Sequence, residues 1–176
     1  MSEFVKITAG KLRGRKILTP GGKTHPMGER ERLALFNMVG NSLDGRTVLD
    51  LYAGSGALGL EAASRGASKI VFVEKNPTAL VCVRQNIMEL GAENCEVVRG
   101  DVAVFTTDMT FDIILADPPY DNFVSEDLAR VADWLAPNGI LVLSHPKEAP
   151  IISGLNLEKT RQYAAARLSL TISSKQ

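Results

Sequence analysis

The sequence predicts an α/β protein in which a mostly parallel sheet carries helices on both faces. Three observations predict this class: short apolar segments alternate with segments of helical periodicity, the strand interiors are almost wholly apolar, and a glycine-rich turn (residues 54–59) follows the first core strand. The chain has 176 residues, of which 45% are hydrophobic, so it is long enough for one domain with a sizeable core.

The beginning of the chain predicts a separate, basic β-hairpin. Residues 4–9 and 16–19 are short strand candidates joined by the polar sequence GKLRGR. We therefore expect a hairpin extension over residues 1–24 and the main α/β domain over residues 25–176. The formal net charge is zero, but basic residues crowd the hairpin, and those predicted to contact nucleic acid are Lys11, Arg13, Arg15 and Lys16. A solvated hairpin without a partner explains the charge alone equally well.

Four helices are predicted in the main domain, and a glycine ends each of the first three. These three begin at Glu29, near Ala57 and at Pro77, and they end before Gly40, Gly66 and Gly91. Asn76 precedes the third helix, where its side chain can cap the free N–H groups. A fourth helix is expected to carry Leu128, Val131 and Leu135 on one side and to stop at residues 137–139.

The strands complete a sheet of seven. Core strands are expected at residues 48–51, 69–74, 95–99, 111–116 and 140–143. Because these strands alternate with helices, we expect them to be parallel. Residues 157–164 and 167–173 depart from this rhythm and predict two strands joined by a short turn, with Leu168, Leu170 and Ile172 alternating. We expect this pair to form an antiparallel hairpin at the sheet edge.

Several classes of protein are not indicated. The sequence has no apolar run near the roughly 20 residues of a membrane-spanning helix and no apolar signal segment at its N-terminus, so we expect a cytoplasmic protein. Cys82 and Cys95 lack CxxC spacing and have no histidine nearby, which predicts neither a metal site nor a disulfide. We expect a monomer.

The glycine-rich turn predicts a nucleotide-like ligand. Its sequence GSGALG has the spacing of a dinucleotide-binding turn, and Glu74 follows at the distance of a ribose-binding acid, so a NAD-linked oxidoreductase is one interpretation. Asp50 favours another ligand, since a carboxylate four residues before Gly54 suits a cationic amino-acid group better than a pyrophosphate. S-adenosylmethionine has such a group and a sulfonium charge, and it has no phosphate to place at a helix N-terminus.

Acids at two further strand ends fit this donor. Glu74 is placed to accept hydrogen bonds from both ribose hydroxyls, and Asp101 is placed to accept one from the adenine amine. Capping of a helical turn that begins near Val102 is the less favoured alternative for Asp101, and it stays open. The residues predicted to bind the cofactor are Asp50, Tyr52, Ala53, Gly54, Ser55, Gly56, Glu74, Lys75, Asp101, Val102 and Asp117.

The sequence DPPY directly after a buried strand predicts the catalytic residues. Pro118 and Pro119 restrict the backbone, so the Asp117 carboxylate and the Pro118 carbonyl are held stiffly. Two fixed acceptors can hold both N–H groups of an exocyclic base amine and favour a lone pair aimed at the methyl group. Tyr120 offers a flat face on which the base stacks, worth about 1–3 kcal/mol. Orientation and electrostatics would carry the step, without a general base of tuned pKa.

Together these motifs resemble a known family. The basic hairpin, LFN at residues 35–37, DLYAGSGALGLEA, FVEKN and LADPPY are similar to the RsmD-type bacterial 16S ribosomal RNA guanine-N2 methyltransferases, nearly end to end. The resemblance implies a class I methyltransferase fold, which is a Rossmann-like sheet, with S-adenosylmethionine as cofactor. It also implies 16S ribosomal RNA or the small ribosomal subunit as partner, and methylation of one guanine amine.

The sequence departs from this family before the first helix. The family usually reads RPTTDRV there, whereas residues 25–31 read HPMGERE, in a segment that resembles a lid over the cofactor. Three alternatives stay open at this point: an amino-methyltransferase acting on a DNA base, a NAD-binding oxidoreductase, and an RNA-binding assembly factor that has lost its catalysis.

Overall fold

A seven-stranded sheet lies at the centre of the fold. The computed structural model describes residues 4–21, 27–121, 124–145, 150–163 and 168–175. In chain order the strands are β1 (Phe4–Lys6), β2 (Lys16–Leu18), β3 (Thr47–Leu51), β4 (Lys69–Glu74), β5 (Cys95–Arg99), β6 (Phe111–Ala116), β7 (Leu135–His145), β8 (Leu155–Tyr163) and β9 (Leu168–Lys175). The helices are α1 (Glu29–Val39), α2 (Ala57–Ser64), α3 (Pro77–Leu90) and α4 (Val131–Trp134), and two short 3-10 helices span Val102–Val104 and Ser125–Leu128. The predicted α/β class is confirmed.

The order of strands in the large sheet is β5-β4-β3-β6-β7-β9-β8. The first five are parallel, and β9 pairs antiparallel with β7 and β8, which confirms the predicted edge hairpin. The turn of that hairpin, at residues 164–167, lies outside the described residues. From β3 the chain proceeds to β4 and β5 on one side, and β6 and β7 lie on the other. Open α/β sheets bind ligands at such a reversal, where Leu51 lies opposite Ala116.

Both faces of the sheet are covered. On one face, α1, α2, α3 and the N-terminal hairpin share an apolar core with Val48, Phe72 and Leu115. On the other face, α4 and the two 3-10 helices pack on Leu49, Val73 and their neighbours. Adjacent residues of one strand serve opposite faces, which is why the strand interiors are continuously apolar. None of the helices in the described ranges has both the length and the apolar character that crossing a membrane requires.

Both predicted ends of α3 are confirmed, and each is set by a capping residue. Asn76 accepts hydrogen bonds from the N–H groups of Thr78 and Ala79 at the start of α3, and Gly91 ends that helix with φ 64. A glycine tolerates this left-handed conformation at no steric cost.

The predicted fourth helix is wrong. Only Val131–Trp134 are α-helical, Leu128 ends a 3-10 helix, and Leu135 already pairs with Phe111 as the first residue of β7. Residues 137–139 do not stop a helix but form an irregularity within β7, where Asn138 has φ 61. The apolar spacing misled the prediction because a buried leucine such as Leu135 fits the pattern of a helix as well as that of a strand.

Buried polar contacts hold the hairpin against α2. The fully buried Glu61 accepts hydrogen bonds from the backbone N–H groups of Thr8 (2.8 Å) and Ala9 (3.0 Å). These groups therefore face the helix and not the opposite strand, and β1 ends at Lys6, earlier than predicted. A Cβ atom at Gly10 would lie 1.9 Å from the Ser64 carbonyl oxygen, so the close approach requires glycine.

Two arginines complete this cluster. Arg65 forms an ion pair with Glu61 (3.0 Å) and stacks over the ring of Phe36 at 4.6 Å from its centroid. Arg32 is fully buried and donates to the carbonyl oxygens of Met27 and Lys6. The cluster joins the hairpin, α1 and α2 through charges that are paired within the protein.

Candidate active site

The glycine-rich turn lies between β3 and α2 and is built on left-handed backbone conformations. Gly54 has φ 57 and Gly56 has φ 79. A Cβ atom at Gly56 would lie 2.6 Å from a methyl group of Val83, so the turn lies tightly on α3. At Gly54 a Cβ would meet only the Tyr52 carbonyl oxygen, at 3.9 Å, so this side of the turn leaves room for a ligand against the backbone. Tyr52 also has a positive φ (58), a conformation that is strained for a residue with a side chain.

Asp50 lies beneath this turn. Its carboxylate accepts a hydrogen bond from the N–H of Gly59 (2.8 Å), and only 1% of the residue is exposed. A Cβ atom at Gly59 would lie 2.3 Å from the ring of Phe72, so α2 packs directly on the sheet there. Burial raises the pKa of Asp50 well above its ordinary value, and the nearby carboxylates of Asp117 and Glu74 raise it further, against the Gly59 hydrogen bond.

Glu74 connects the turn to α3. One carboxylate oxygen accepts a hydrogen bond from the N–H of Gly54 and the other from the N–H of Asn76, both at 2.7 Å. Each oxygen keeps a second lone pair, so these bonds leave acceptor capacity for the hydroxyl groups of a ligand.

Asp101 follows β5 at the same edge of the sheet and makes two local contacts. It forms an exposed ion pair with Lys75 (3.1 Å) and accepts a hydrogen bond from the N–H of Ala103, which confirms the capping interpretation. The hydrogen bond from Lys75, followed by that from Ala103, lowers the pKa of Asp101. Its predicted role in adenine binding stays a prediction, and the adjacent Val102 is buried in the core.

The DPPY corner (Asp117, Pro118, Pro119 and Tyr120) follows β6. The Tyr120 hydroxyl contacts the Asp117 carboxylate at 3.4 Å and forms a hydrogen bond with the hydroxyl of Ser144 at 2.5 Å. The ring of Tyr120 stays accessible, since 40% of the residue is exposed. Burial raises the pKa of Asp117, and hydrogen bonds from Ser144 and Tyr120 oppose this rise.

Sequence reasoning missed Ser144, which lies on β7 and is 1% exposed. The available signal was a serine followed by a histidine at the end of the apolar segment ILVL. A polar residue near the end of a buried strand, next to the strand that precedes the predicted catalytic residues, is a candidate for orienting them.

The glycine-rich turn and the DPPY corner belong to neighbouring strand ends. β3 and β6 pair in parallel, with Asp50 opposite Leu115 and Leu51 opposite Ala116. Asp50, Glu74 and Asp117 therefore converge at one edge, and among the described residues none of the three forms an ion pair with a basic side chain. Converging acids without a basic partner fit a cationic ligand.

The basic hairpin residues lie elsewhere. The backbone N–H of Lys11 bonds to the Ser64 carbonyl at the C-terminal end of α2, and the Arg15 guanidinium bonds to the Glu89 carbonyl near the end of α3. Both helices begin at the site, so their C-terminal ends lie at the opposite edge of the sheet. The four residues predicted to contact RNA are therefore exposed but do not lie at the DPPY corner. They are Lys11, Arg13, Arg15 and Lys16.

Part of the predicted lid lies outside the described residues, namely residues 25 and 26. Met27 is the first described residue after this gap, and its carbonyl accepts a hydrogen bond from the buried guanidinium of Arg32. In the parts of the chain that the structure describes, no group of histidine, cysteine, aspartate and glutamate residues could hold a metal ion.

The chain matches known proteins over almost its whole length. The family model described as Conserved hypothetical protein 95 matches residues 5–173. Ribosomal RNA small subunit methyltransferase D of Haemophilus influenzae is 32% identical over 179 residues, which cover 93% of this chain and 92% of that protein. The protein of the same name from Escherichia coli K12 is 30% identical over 175 residues. These residues cover 93% of this chain and 88% of that protein.

Solved structures also resemble this chain over almost its whole length. The Escherichia coli protein yhhF superposes with a TM-score of 0.85 at 26% identity over 98% of both chains. A hypothetical protein of Thermus thermophilus superposes with a TM-score of 0.77 at 33% identity, over 96% of this chain and 98% of the other. The chain therefore belongs to the family of the small-subunit ribosomal RNA methyltransferases D, described as Conserved hypothetical protein 95.

Proposed function

We propose that this protein transfers a methyl group from S-adenosylmethionine to the exocyclic N2 amine of a guanine in 16S ribosomal RNA. One observation carries the proposal: the glycine-rich turn and the DPPY corner follow adjacent parallel strands, so a ligand held by one faces the other. The names of the relatives support a small-subunit ribosomal RNA as substrate. The guanine N2 position is the methylation site of the family that the sequence resembles.

The residues present fit S-adenosylmethionine. The open side of Gly54 would accept the ligand against the backbone, and the lone pairs left on Glu74 would accept the ribose hydroxyls. The raised pKa values of Asp50 and Asp117 favour their protonated forms in the free protein, and a cationic ligand would favour ionisation, which a pyrophosphate would oppose. When bound, the cofactor supplies an electrophilic methyl group on a positively charged sulfur.

The DPPY corner would hold the base. The Asp117 carboxylate and the Pro118 carbonyl accept the two N–H groups of the amine, which keeps the amine oriented and its lone pair unhindered. Tyr120 is anchored at its hydroxyl and exposed along its ring, as a stacking platform requires. A base from a duplex must leave its stack to reach this corner.

Two competing functions predict different ligands. A NAD-linked oxidoreductase would place a pyrophosphate against the buried acids at the turn, which costs electrostatic energy. A DNA amino-methyltransferase would use the same corner on a different polymer.

The experiment combines binding with product analysis. Calorimetry with S-adenosylmethionine and with NAD is expected to show binding of S-adenosylmethionine alone. Incubation of the protein with isotopically labelled S-adenosylmethionine and either 16S RNA or a DNA duplex, followed by nucleoside analysis, is expected to yield N2-methylguanosine from the RNA. Binding of NAD alone, or label only in DNA, would contradict the proposal.

A further inference from the structure

Asn86 is a buried polar residue on α3 that touches two functional segments at once. Its side-chain oxygen accepts a hydrogen bond from the N–H of Leu18 (2.9 Å), and its amide nitrogen donates to the carbonyl of Leu18 (3.0 Å). The same nitrogen donates to the carbonyl of Ser55 (2.9 Å), within the glycine-rich turn. Only 1% of Asn86 is exposed.

The bond to Ser55 fixes one peptide plane of the turn. The carbonyl of Ser55 and the N–H of Gly56 belong to the same peptide group, and that N–H donates to the carbonyl of Ala53 at 2.7 Å. Both ends of the Ser55–Gly56 peptide are therefore held, one by Asn86 and one by the turn itself. The Ala53–Gly54 peptide is also held at both ends, because its N–H donates to Glu74 and its carbonyl accepts from Gly56.

We propose that Asn86 is a positioning residue for the cofactor, which keeps the Ser55–Gly56 peptide in the orientation that binds the ligand and anchors β2 of the hairpin to the same point. The proposal rests on the proposed function only for the identity of the ligand. A glycine-rich segment has many accessible conformations, so an unheld peptide must be ordered when the ligand binds, which weakens affinity.

The alternative is that Asn86 only fastens the hairpin. Ser64 provides the matched control, because its side chain also bonds the hairpin, at the N–H of Leu12 (2.9 Å) and the carbonyl of Ala9 (2.6 Å), and makes no bond to the turn. If hairpin fastening were the whole role of Asn86, Asn86→Ala and Ser64→Ala would have the same consequences.

The test measures cofactor affinity and local backbone protection in full-length variants. We expect Asn86→Ala and Asn86→Asp to weaken S-adenosylmethionine binding about tenfold by calorimetry and to accelerate hydrogen exchange at the Gly56 amide. Asn86→Asp keeps an acceptor for Leu18 and, in its ionised form, has no proton to donate to Ser55, so measurements at high pH test the donated bond directly. Ser64→Ala is expected to lower the unfolding midpoint while both readouts stay within about twofold of wild type.

Retention of wild-type affinity and Gly56 protection in Asn86→Asp would overturn the proposal, as would equal effects of Ser64→Ala. Should Asn86→Ala fail to fold, Asn86→Ser, whose hydroxyl is too short to reach Ser55, takes its place. If the wild-type protein does not bind S-adenosylmethionine, the proposed function fails. The exchange rate at Gly56 still decides whether Asn86 positions the turn.

Discussion

The hydroxyl of Tyr120 forms a hydrogen bond with Ser144, which fastens the DPPY corner to the neighbouring strand β7. The Ser144 hydroxyl also opposes the rise in the Asp117 pKa that burial causes. One buried hydroxyl thus influences both the stacking ring and the carboxylate that would accept the base amine.

We expect Ser144→Ala to lower kcat about tenfold while the affinity for S-adenosylmethionine stays nearly unchanged. Loss of the hydrogen bond should raise the pKa of Asp117 further, so the acidic limb of the pH–rate profile should move to higher pH. Ser144→Thr keeps the hydroxyl and is expected to retain the wild-type profile. An unmoved acidic limb in Ser144→Ala would show that the hydroxyl does not act on Asp117.

Asp117→Ala is expected to reduce kcat by about 100-fold or more, because it removes one of the two acceptors that orient the amine. Cofactor affinity should fall much less than kcat, since the turn, Asp50 and Glu74 are unchanged. Single-turnover assays and calorimetry on the same preparation separate the two quantities. Equal loss of binding and turnover would mean that the acid is structural.

Asp50→Asn is expected to stabilise the free protein and to weaken cofactor binding. Burial raises the pKa of Asp50 in the folded state, so the folded state favours its protonated form. Its contribution to the free energy of unfolding is fully present below the ordinary pKa of aspartate and is lost as pH rises through the folded pKa.

At neutral pH we therefore expect Asp50→Asn to raise the free energy of unfolding by about 0.5–2 kcal/mol. The difference from wild type should grow as pH rises above about 4. The asparagine oxygen can still accept from Gly59, so the packing of α2 is retained. Urea denaturation across pH measures the first effect and calorimetry the second. A variant that is less stable at neutral pH and binds the cofactor normally would contradict this account.

Replacement of Arg13 and Arg15 by alanine should weaken RNA binding and reduce the slope of log K against log salt by about 1 for each phosphate that the variant no longer neutralises. Because these residues lie at the edge opposite the site, kcat at saturating RNA should be unchanged. Arg130→Ala, an exposed arginine near α4 on the other face of the sheet, is the control. A salt slope equal to that of wild type would mean that the hairpin is simply solvated.

Glu61→Gln should destabilise the protein by about 3–5 kcal/mol, because it leaves the buried guanidinium groups of Arg65 and Arg32 without their partner. Glu96→Gln breaks an exposed ion pair with Lys69 and should cost about 0–1 kcal/mol. Chemical denaturation of both variants gives the comparison. Equal stability of the two would show that the cluster is not what fastens the hairpin.

Much of the fold and site could be predicted because local chemistry determines it. The acids Asp50, Glu74 and Asp117 lie at or next to the ends of apolar strands, and parallel pairing brings such positions to one edge without knowledge of side-chain contacts. Asn76 and Gly91 set the ends of α3 through backbone conformations that few residues adopt.

The rest depends on contacts between distant residues. Ser144 and Tyr120 are separated by 24 residues in the sequence, and Asn86 and Ser55 by 31. No periodic pattern in the sequence predicts either hydrogen bond. The position of the hairpin tip follows from the contacts of Glu61 and Ser64 with the hairpin, which charge counts alone do not reveal. The error in helix four arose because Leu128, Val131 and Leu135 are all buried, and burial alone does not distinguish helix from strand.

The most direct test is mass spectrometry of ribosomal RNA from cells with this protein, without it, and with Asp117→Ala in its place. We predict that one guanine of the small-subunit RNA carries an N2-methyl group only when the wild-type protein is present. An identical methylation pattern in all three strains would contradict the central claim.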